Sequence, residues 1–227
     1  MAIDTPLSWS VVVPVKVLAV AKSRLAELPP ATRQRLALAM AVDTVAAALA
    51  CPLVGPVLVV SDDPAVRSQV AALGARVAAD STDPGLNQAL IVGAELVTAR
   101  WPGRGRAALT ADLPAMRASE LTTALAAASS ATQAFLADAD GSGTTLYTAV
   151  PGAAFTPQFG QRSSARHRAS GARELDLPGI AGLRRDVDTL ADLKDAAEIG
   201  LGPRSAALAA ALLAGEMPAR QEPRHEH

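Results

Sequence analysis

Short β-branched apolar runs alternate with longer stretches rich in alanine and leucine along most of this 227-residue chain. That alternation constrains the fold more than any other feature. Residues 10–17 (SVVVPVKV) read as a strand buried on both faces, with Pro14 marking an edge, a bulge or an early end. After Pro29-Pro30, residues 31–50 carry good helix formers and predict a helix. Further strands are expected at 56–61, 75–79, 106–110, 132–137, 144–150 and 183–187, with helices at 64–73, 86–100, 118–129, 190–199 and 204–213. Strands alternating with helices of this length predict an α/β fold, with a mostly parallel mixed sheet flanked by helices on both faces. No repeat and no linker rich in Pro, Gly or Ser divides the chain. Residues 1–216 are therefore expected to form one domain, and the polar, aperiodic 217–227 (MPARQEPRHEH) a disordered tail. Metal binding by His225 and His227 in that tail is the weaker reading.

Composition removes several classes of function. The 21 Lys+Arg and 22 Asp+Glu leave a net charge of −1, with no basic run to grip a phosphate backbone, so nucleic acid is not an expected partner. Half the residues are hydrophobic but only 3% are aromatic, and 51 are alanine, so the core must be built from small aliphatic side chains. Cys51 is the only cysteine, which excludes an intramolecular disulfide and a multi-cysteine metal site and fits a reducing cytoplasm. The longest apolar run, the 16 residues 45–60, is broken by Pro52, Gly55 and Pro56 and falls short of the ~20 that span a membrane. No basic segment followed by an apolar block marks the N-terminus as a secretory signal.

In open α/β sheets ligands sit beyond the carboxyl ends of the strands, so the polar residues that follow each apolar run are the candidates for chemistry. Lys16 and the Lys22-Ser23-Arg24 triplet put three cations in nine residues next to the first strand, a set suited to a polyphosphate and equally to a solvated loop with ordinary surface charges. Asp112, in ALTADLP, follows a buried strand where phosphoryl- and nucleotidyl-transfer enzymes hold Mg2+. Helix capping is its competing role. If 183–187 is a strand, Asp186 and Asp188 project to one face, and with Asp112 they would frame a two-metal clamp. Their competing roles are a cap at Asp188 and an ion pair of Asp186 with Arg184 or Arg185. Phe159-Gly160-Gln161-Arg162-Ser163-Ser164 reads as a glycine turn opening a helix with free N–H groups, close to the positive charge of Arg162, Arg166, His167 and Arg168. A small anion suits that place, and a solvated basic helix capped by Ser163 suits it equally. Gly85-Leu86-Asn87, at a helix start, is a weaker candidate for contact with a base or ribose. No Ser-His-Asp or Cys-His set is evident.

VPVK…AKSRL, LTADLP, LYTAVPGAAFTPQFGQRSSARHR and DVDTLADL, in that order and spacing to about Leu193, resemble the phosphoenolpyruvate / 2-phospho-L-lactate guanylyltransferase family of coenzyme F-420 biosynthesis. The resemblance implies a Rossmann-like, nucleotide-diphospho-sugar-transferase-like fold and transfer of GMP from GTP to a small phosphorylated acid, with release of pyrophosphate. It implies that Thr145, Gly160 and Ser163 hold the acid. Asp112, Asp186 and Asp188 would hold a pair of Mg2+ ions. Lys16, Lys22 and Arg24 would face the GTP phosphates, and Gly85 to Asn87 the guanosine. Bacterial members resembling this chain are expected to use phosphoenolpyruvate, giving enolpyruvoyl-2-diphospho-5'-guanosine, and archaeal ones 2-phospho-L-lactate. The alanine-rich composition suggests a genome rich in G and C and favours phosphoenolpyruvate. Hand-over of a labile product to the next enzyme is a further expectation. Other nucleotidyltransferases of this fold usually open with a glycine-rich loop that Val15-Lys16-Val17-Leu18-Ala19 lacks. A non-catalytic nucleotide-binding module is the reading from a different class.

Overall fold

A computed structural model of the chain describes residues 7–20, 22, 25, 27–80 and 85–213. Arg24, Ser23 and the tail from 217 onward lie outside the described residues. Seven strands form one sheet: β1 (Trp9–Pro14), β2 (Val54–Val60), β3 (Arg76–Ala78), β4 (Gly105–Leu109), β5 (Gln133–Ala137), β6 (Thr144–Ala149) and β7 (Arg173–Glu174). Their spatial order is β3-β2-β1-β4-β6-β5-β7, and β6 alone runs antiparallel to its neighbours. The chain steps outward from β1 through β2 to β3, then returns to place β4 on the other side of β1. The strand order therefore reverses between β1 and β4, which opens a crevice beyond their carboxyl ends.

The helices are α1 (Pro30–Leu49), α2 (Pro64–Ala72), α3 (Leu86–Arg100), α4 (Ala118–Ala128), α5 (Ser163–Ala169), α6 (Ala181–Arg184), α7 (Leu190–Ile199) and α8 (Pro203–Leu213). Successive strand residues point to opposite faces, and the core follows that period. Val11, Val13, Val57 and Val59 pack with α1, α2 and α4, whereas Val12, Leu58 and Val60 pack with α3. Small residues set the spacing of these layers. A Cβ on Gly93 of α3 would come within 2.6 Å of Val12 and 3.1 Å of Val60. A third cluster joins Leu36 and Met40 of α1 to Leu193 of α7, Ala209 of α8, Leu25 and Val187. Buried Asp43 of α1 ties this corner together, because its carboxylate accepts the Ser205 N–H at 2.8 Å and the Arg204 N–H at 3.3 Å at the start of α8. No described helix is long and apolar enough to cross a membrane.

The expected strand at 183–187 does not form. Leu183 lies in α6, and residues 185–189 continue as irregular chain. Gly182 packs against the Ala115 carbonyl, where a Cβ would overlap it, and its N–H donates to Glu120 Oε1 at 2.9 Å. Val187 donates one hydrogen bond, to the Asp112 carbonyl at 3.0 Å just past β4, and fills the third cluster. The apolar pattern came from packing against helices, not from a ladder.

His167, which the sequence groups with arginines as positive charge, is fully buried and neutral. It stacks on Tyr147 at 4.8 Å, with Phe135 and Phe159 at 5.5 and 5.7 Å. The Gln158 N–H donates to Nε2 at 2.8 Å, so the ring proton belongs on Nδ1, 3.0 Å from Thr144 Oγ1. Burial, helped by Arg166, lowers its pKa to about 4. As pH falls through the ordinary histidine range, the unfolded chain takes up a proton that the native ring refuses. Stability is therefore lost between about pH 6.5 and 4, by up to about 3 kcal/mol. Urea unfolding of wild type and His167→Gln at pH 7 and pH 5 should show the wild-type advantage shrinking at the lower pH. Parallel pH dependences would contradict the buried neutral ring.

Candidate active site

A cavity of about 370 Å3 occupies the crevice between β1 and β4. Pro14 at the end of β1 and Lys16 just beyond it line the cavity with Thr110 and Asp112 past the end of β4, and Leu86 and Leu90 of α3 supply an apolar wall. This is where parallel strands leave their carboxyl ends at an order reversal, so topology alone puts polar residues here. Lys16 is exposed at its edge.

The electrostatic centre is Lys22. Its ammonium donates to Asp112 Oδ2 at 2.5 Å and to Asp188 Oδ1 at 2.8 Å, with only 10% of its side chain exposed. Burial opposes the charged ammonium, but the two carboxylates outweigh it and raise the lysine pKa above its ordinary value. Asp186, beside them, is raised to about 7, first by desolvation and then by the negative fields of Asp112, Asp138 and Asp188. The capping and pairing alternatives fall away. Arg117 occupies the N-cap position of α4, its N–H donating to Glu120 Oε2 at 2.8 Å, and Thr189 caps α7 through a reciprocal box with Asp192. Arg185 pairs with Asp192 and Asp195 at 3.7 and 3.5 Å, and Arg184 donates to the Ala137 and Asp138 carbonyls.

Among the described residues, no three acidic, His or Cys side chains converge as a ready-made metal cluster. The expected three-carboxylate clamp is thus not preformed, because an ammonium stands between two of its members. The donor set still suits a hard cation. Asp112 Oδ1 is buried without a hydrogen-bond partner among the described residues, Asp188 shares the same counterion, and Mg2+ usually takes only one or two carboxylates beside phosphate and water.

Thr145, on β6, adjoins this centre: its carbonyl accepts the Thr110 N–H at 3.0 Å, and the hydroxyls of Thr110 and Thr145 are both buried without partners among the described residues. Phe159 lines the cavity and leads into exposed Gly160, whose φ of 114° favours glycine. Ser163 is buried, but its N–H donates to the Gly160 carbonyl and that of Ser164 to Ser142, so the first turn of α5 does not present the free N–H groups expected. Arg162, in a left-handed conformation, occupies the cap position instead of Ser163. Arg166 folds onto the carbonyls of Gln158, Phe159 and Gln161, and Arg168 pairs with Glu174. The basic face is thus largely committed to the protein. Asn87 also differs from expectation. Its amide is used at both ends on Phe159, accepting the N–H at 2.7 Å and donating to the carbonyl at 3.1 Å. It pins the 159–163 loop to α3. Gly85 caps that helix with φ 113° and does not line the cavity. The sequence reading missed Thr110, although it stands in the LTADLP block, and missed Asp138, whose position gave no signal.

Comparison with known proteins bears on this geometry. A family model described as "Guanylyl transferase CofC like" matches residues 9–181. A Thermomonospora curvata protein named phosphoenolpyruvate guanylyltransferase is 56% identical over 207 residues, covering 91% of each chain. One of the same name from Streptomyces coelicolor is 55% identical over 208 residues, 91% of this chain and 98% of that one. Among solved structures, a Desulfovibrio desulfuricans protein provisionally labelled a nucleotide-diphospho-sugar transferase aligns with a TM-score of 0.66 at 16% identity, over 92% and 95% of the two chains. A nucleotidyl transferase from Methanothermobacter aligns at 0.60 and 19% identity, over 85% and 97%. At such identities these structures show the shared fold, as the sequence led us to expect. By the extent of the family match and the identity of its relatives, this chain belongs to the CofC-like guanylyl transferase family.

Proposed function

We propose that the chain transfers GMP from GTP to phosphoenolpyruvate, releasing pyrophosphate, in coenzyme F-420 biosynthesis. The observation that carries this reading is the acidic pair Asp112 and Asp188, bridged by Lys22 at the mouth of the switch-point crevice, in a chain 56% identical to a phosphoenolpyruvate guanylyltransferase. Lys16 and Lys22, with Arg24, meet the triphosphate. Thr145, Gly160 and Ser163 hold the phosphate and carboxylate of the acid, and the helix start at Gly85 to Asn87 borders the guanosine through Leu86, which lines the cavity.

A phosphate oxygen of the acceptor attacks the α-phosphorus of GTP. The new P–O–P link forms as the bond to the β-phosphate breaks, and pyrophosphate leaves with the electron pair. The attacking oxygen is already ionised near neutral pH, since a second phosphate pKa lies near 6, so no general base is needed. Lys16 and Lys22 stabilise the charge that builds on the leaving pyrophosphate, and the walls of the crevice hold the two phosphates in line. Mg2+ held by Asp112 and Asp188, with Asp186 beside them, would neutralise triphosphate charge during displacement. Prior guanylylation of Lys22 is disfavoured. Its ion pairs keep the amine protonated, without the lone pair that attack requires. The proposal places the reaction in a reducing cytoplasm, with hand-over of a labile product to the next enzyme.

Pyrophosphate release with Mg2+ and each nucleoside triphosphate, with phosphoenolpyruvate or 2-phospho-L-lactate as acceptor, tests the reading. We expect turnover with GTP and phosphoenolpyruvate. Preference for 2-phospho-L-lactate would reassign the acceptor, and GTP binding without turnover on either acid would favour a binding module. Asp112→Asn and Asp188→Asn are each expected to lower turnover at least about 100-fold while the far-ultraviolet spectrum is kept. Near wild-type rates would contradict their role. Ser163→Ala should raise KM for the acid more than KM for GTP, and equal effects would place Ser163 outside the acceptor pocket.

A further inference from the structure

One monovalent cation sits where the donor set suits a divalent one. Lys22 Nζ is 2.5 Å from Asp112 and 2.8 Å from Asp188, groups 90 and 166 residues away in sequence. Asp186 adds a third carboxylate to the same field. The lysine is held with some strain: its φ of 55° is left-handed, a conformation unfavourable for a non-glycine residue, and only Arg162 shares this among described non-glycine residues. Its carbonyl accepts the N–H of Leu25, a buried member of the third cluster that also holds Val187. The ammonium is thus presented to the carboxylates from a fixed backbone anchor. Its four-carbon stem is flexible, so its head can move while that anchor stays.

We propose that Lys22 is a built-in counterion that closes the divalent-cation site until the phosphates of an incoming nucleotide draw its ammonium away, so that metal and nucleotide enter together. A bare divalent cation reaching Asp112 and Asp188 must expel the ammonium from two short ion pairs and leave it next to a second positive charge. With a triphosphate present, the displaced ammonium gains phosphate oxygens as partners, in a cavity that Lys22 already lines. Neither ligand alone makes that exchange favourable. The two binding events are therefore coupled, and the coupling is reciprocal. In the empty protein the same contact keeps the carboxylates from repelling one another apart. This inference rests on the reading of the crevice as a metal and nucleotide site and adds an order of binding to it.

Mn2+ titration of the nucleotide-free protein, followed by the electron paramagnetic resonance signal of free Mn2+, tests the exchange without turnover. Lys22→Met should bind Mn2+ at least 10-fold more tightly than wild type. Lys22→Arg, which keeps the charge, should stay within about threefold of wild type. The gain should vanish in Lys22→Met/Asp112→Asn. Equal Mn2+ affinity in wild type and Lys22→Met would overturn the exchange while leaving the metal site standing. No Mn2+ binding by any variant, with or without GTP, would overturn the metal site itself and the proposal with it. A second measurement keeps the test sharp if Lys22→Met fails to fold. The chain has three lysines, Lys16, Lys22 and Lys194. The 15N signal of the Lys22 ammonium should shift on adding Mg2+ with GTP and stay in place with Mg2+ alone. A full shift with Mg2+ alone, or none with both, would overturn the proposal.

Discussion

Mutual repulsion among Asp112, Asp186 and Asp188 is the constraint around which this end of the molecule is organised. Carboxylates gathered out of water are costly unless a cation shares them, and burial together with the fields of Asp112, Asp138 and Asp188 pushes Asp186 up to about 7. Lys22 meets that requirement within the chain itself. The position of the acidic group follows from topology. Asp112 leaves the carboxyl end of β4, while the segment carrying Asp186 and Asp188 is held alongside by the hydrogen bond from Val187 to the Asp112 carbonyl. A third cluster under α1, α7 and α8 then holds Leu25, three residues after Lys22, and Val187, between Asp186 and Asp188.

The small-residue core is what allows these layers to close so near the crevice. Gly93 lets α3 lie directly on Val12 and Val60, and the same helix brings Asn87 to the Phe159 backbone. Through that clamp the loop carrying Gly160 and Ser163 is tied to the start of α3, whose Leu86 lines the cavity. Neutral His167 fixes the loop from below by accepting the Gln158 N–H. The 159–163 loop is thus tied by hydrogen bonds to a single helix and a single ring.

Much of this was legible in the sequence. Short apolar runs marked β1 to β6, though not the two-residue β7, and the helix expected at 86–100 is α3, Leu86–Arg100. Asp112 was legible because a carboxylate directly after a buried strand is exposed to the crevice by topology. The segment 183–187 was misread because Leu183 and Val187 are buried by helices, and an apolar alternation records burial without saying against what. His167 was misread because its neighbours in sequence are arginines, whereas its neighbours in space are three aromatic rings. The contact of Lys22 with Asp112 and Asp188 joins parts of the chain too distant for spacing to reveal. Asn87 stood at the right helix start, but its partner Phe159 lies 72 residues away.

The mechanism that fits this site has no protein nucleophile: a protonated lysine, carboxylates suited to a cation, and no unpaired histidine or thiol in the crevice among the described residues. Its central claim is a single in-line displacement at the α-phosphorus. The most direct measurement is the stereochemical course with one diastereomer of guanosine 5'-O-(1-thiotriphosphate) and phosphoenolpyruvate, read by 31P resonance of the product. Inversion at the α-phosphorus is the predicted result. Retention would require two displacements through a guanylylated side chain and would contradict the account.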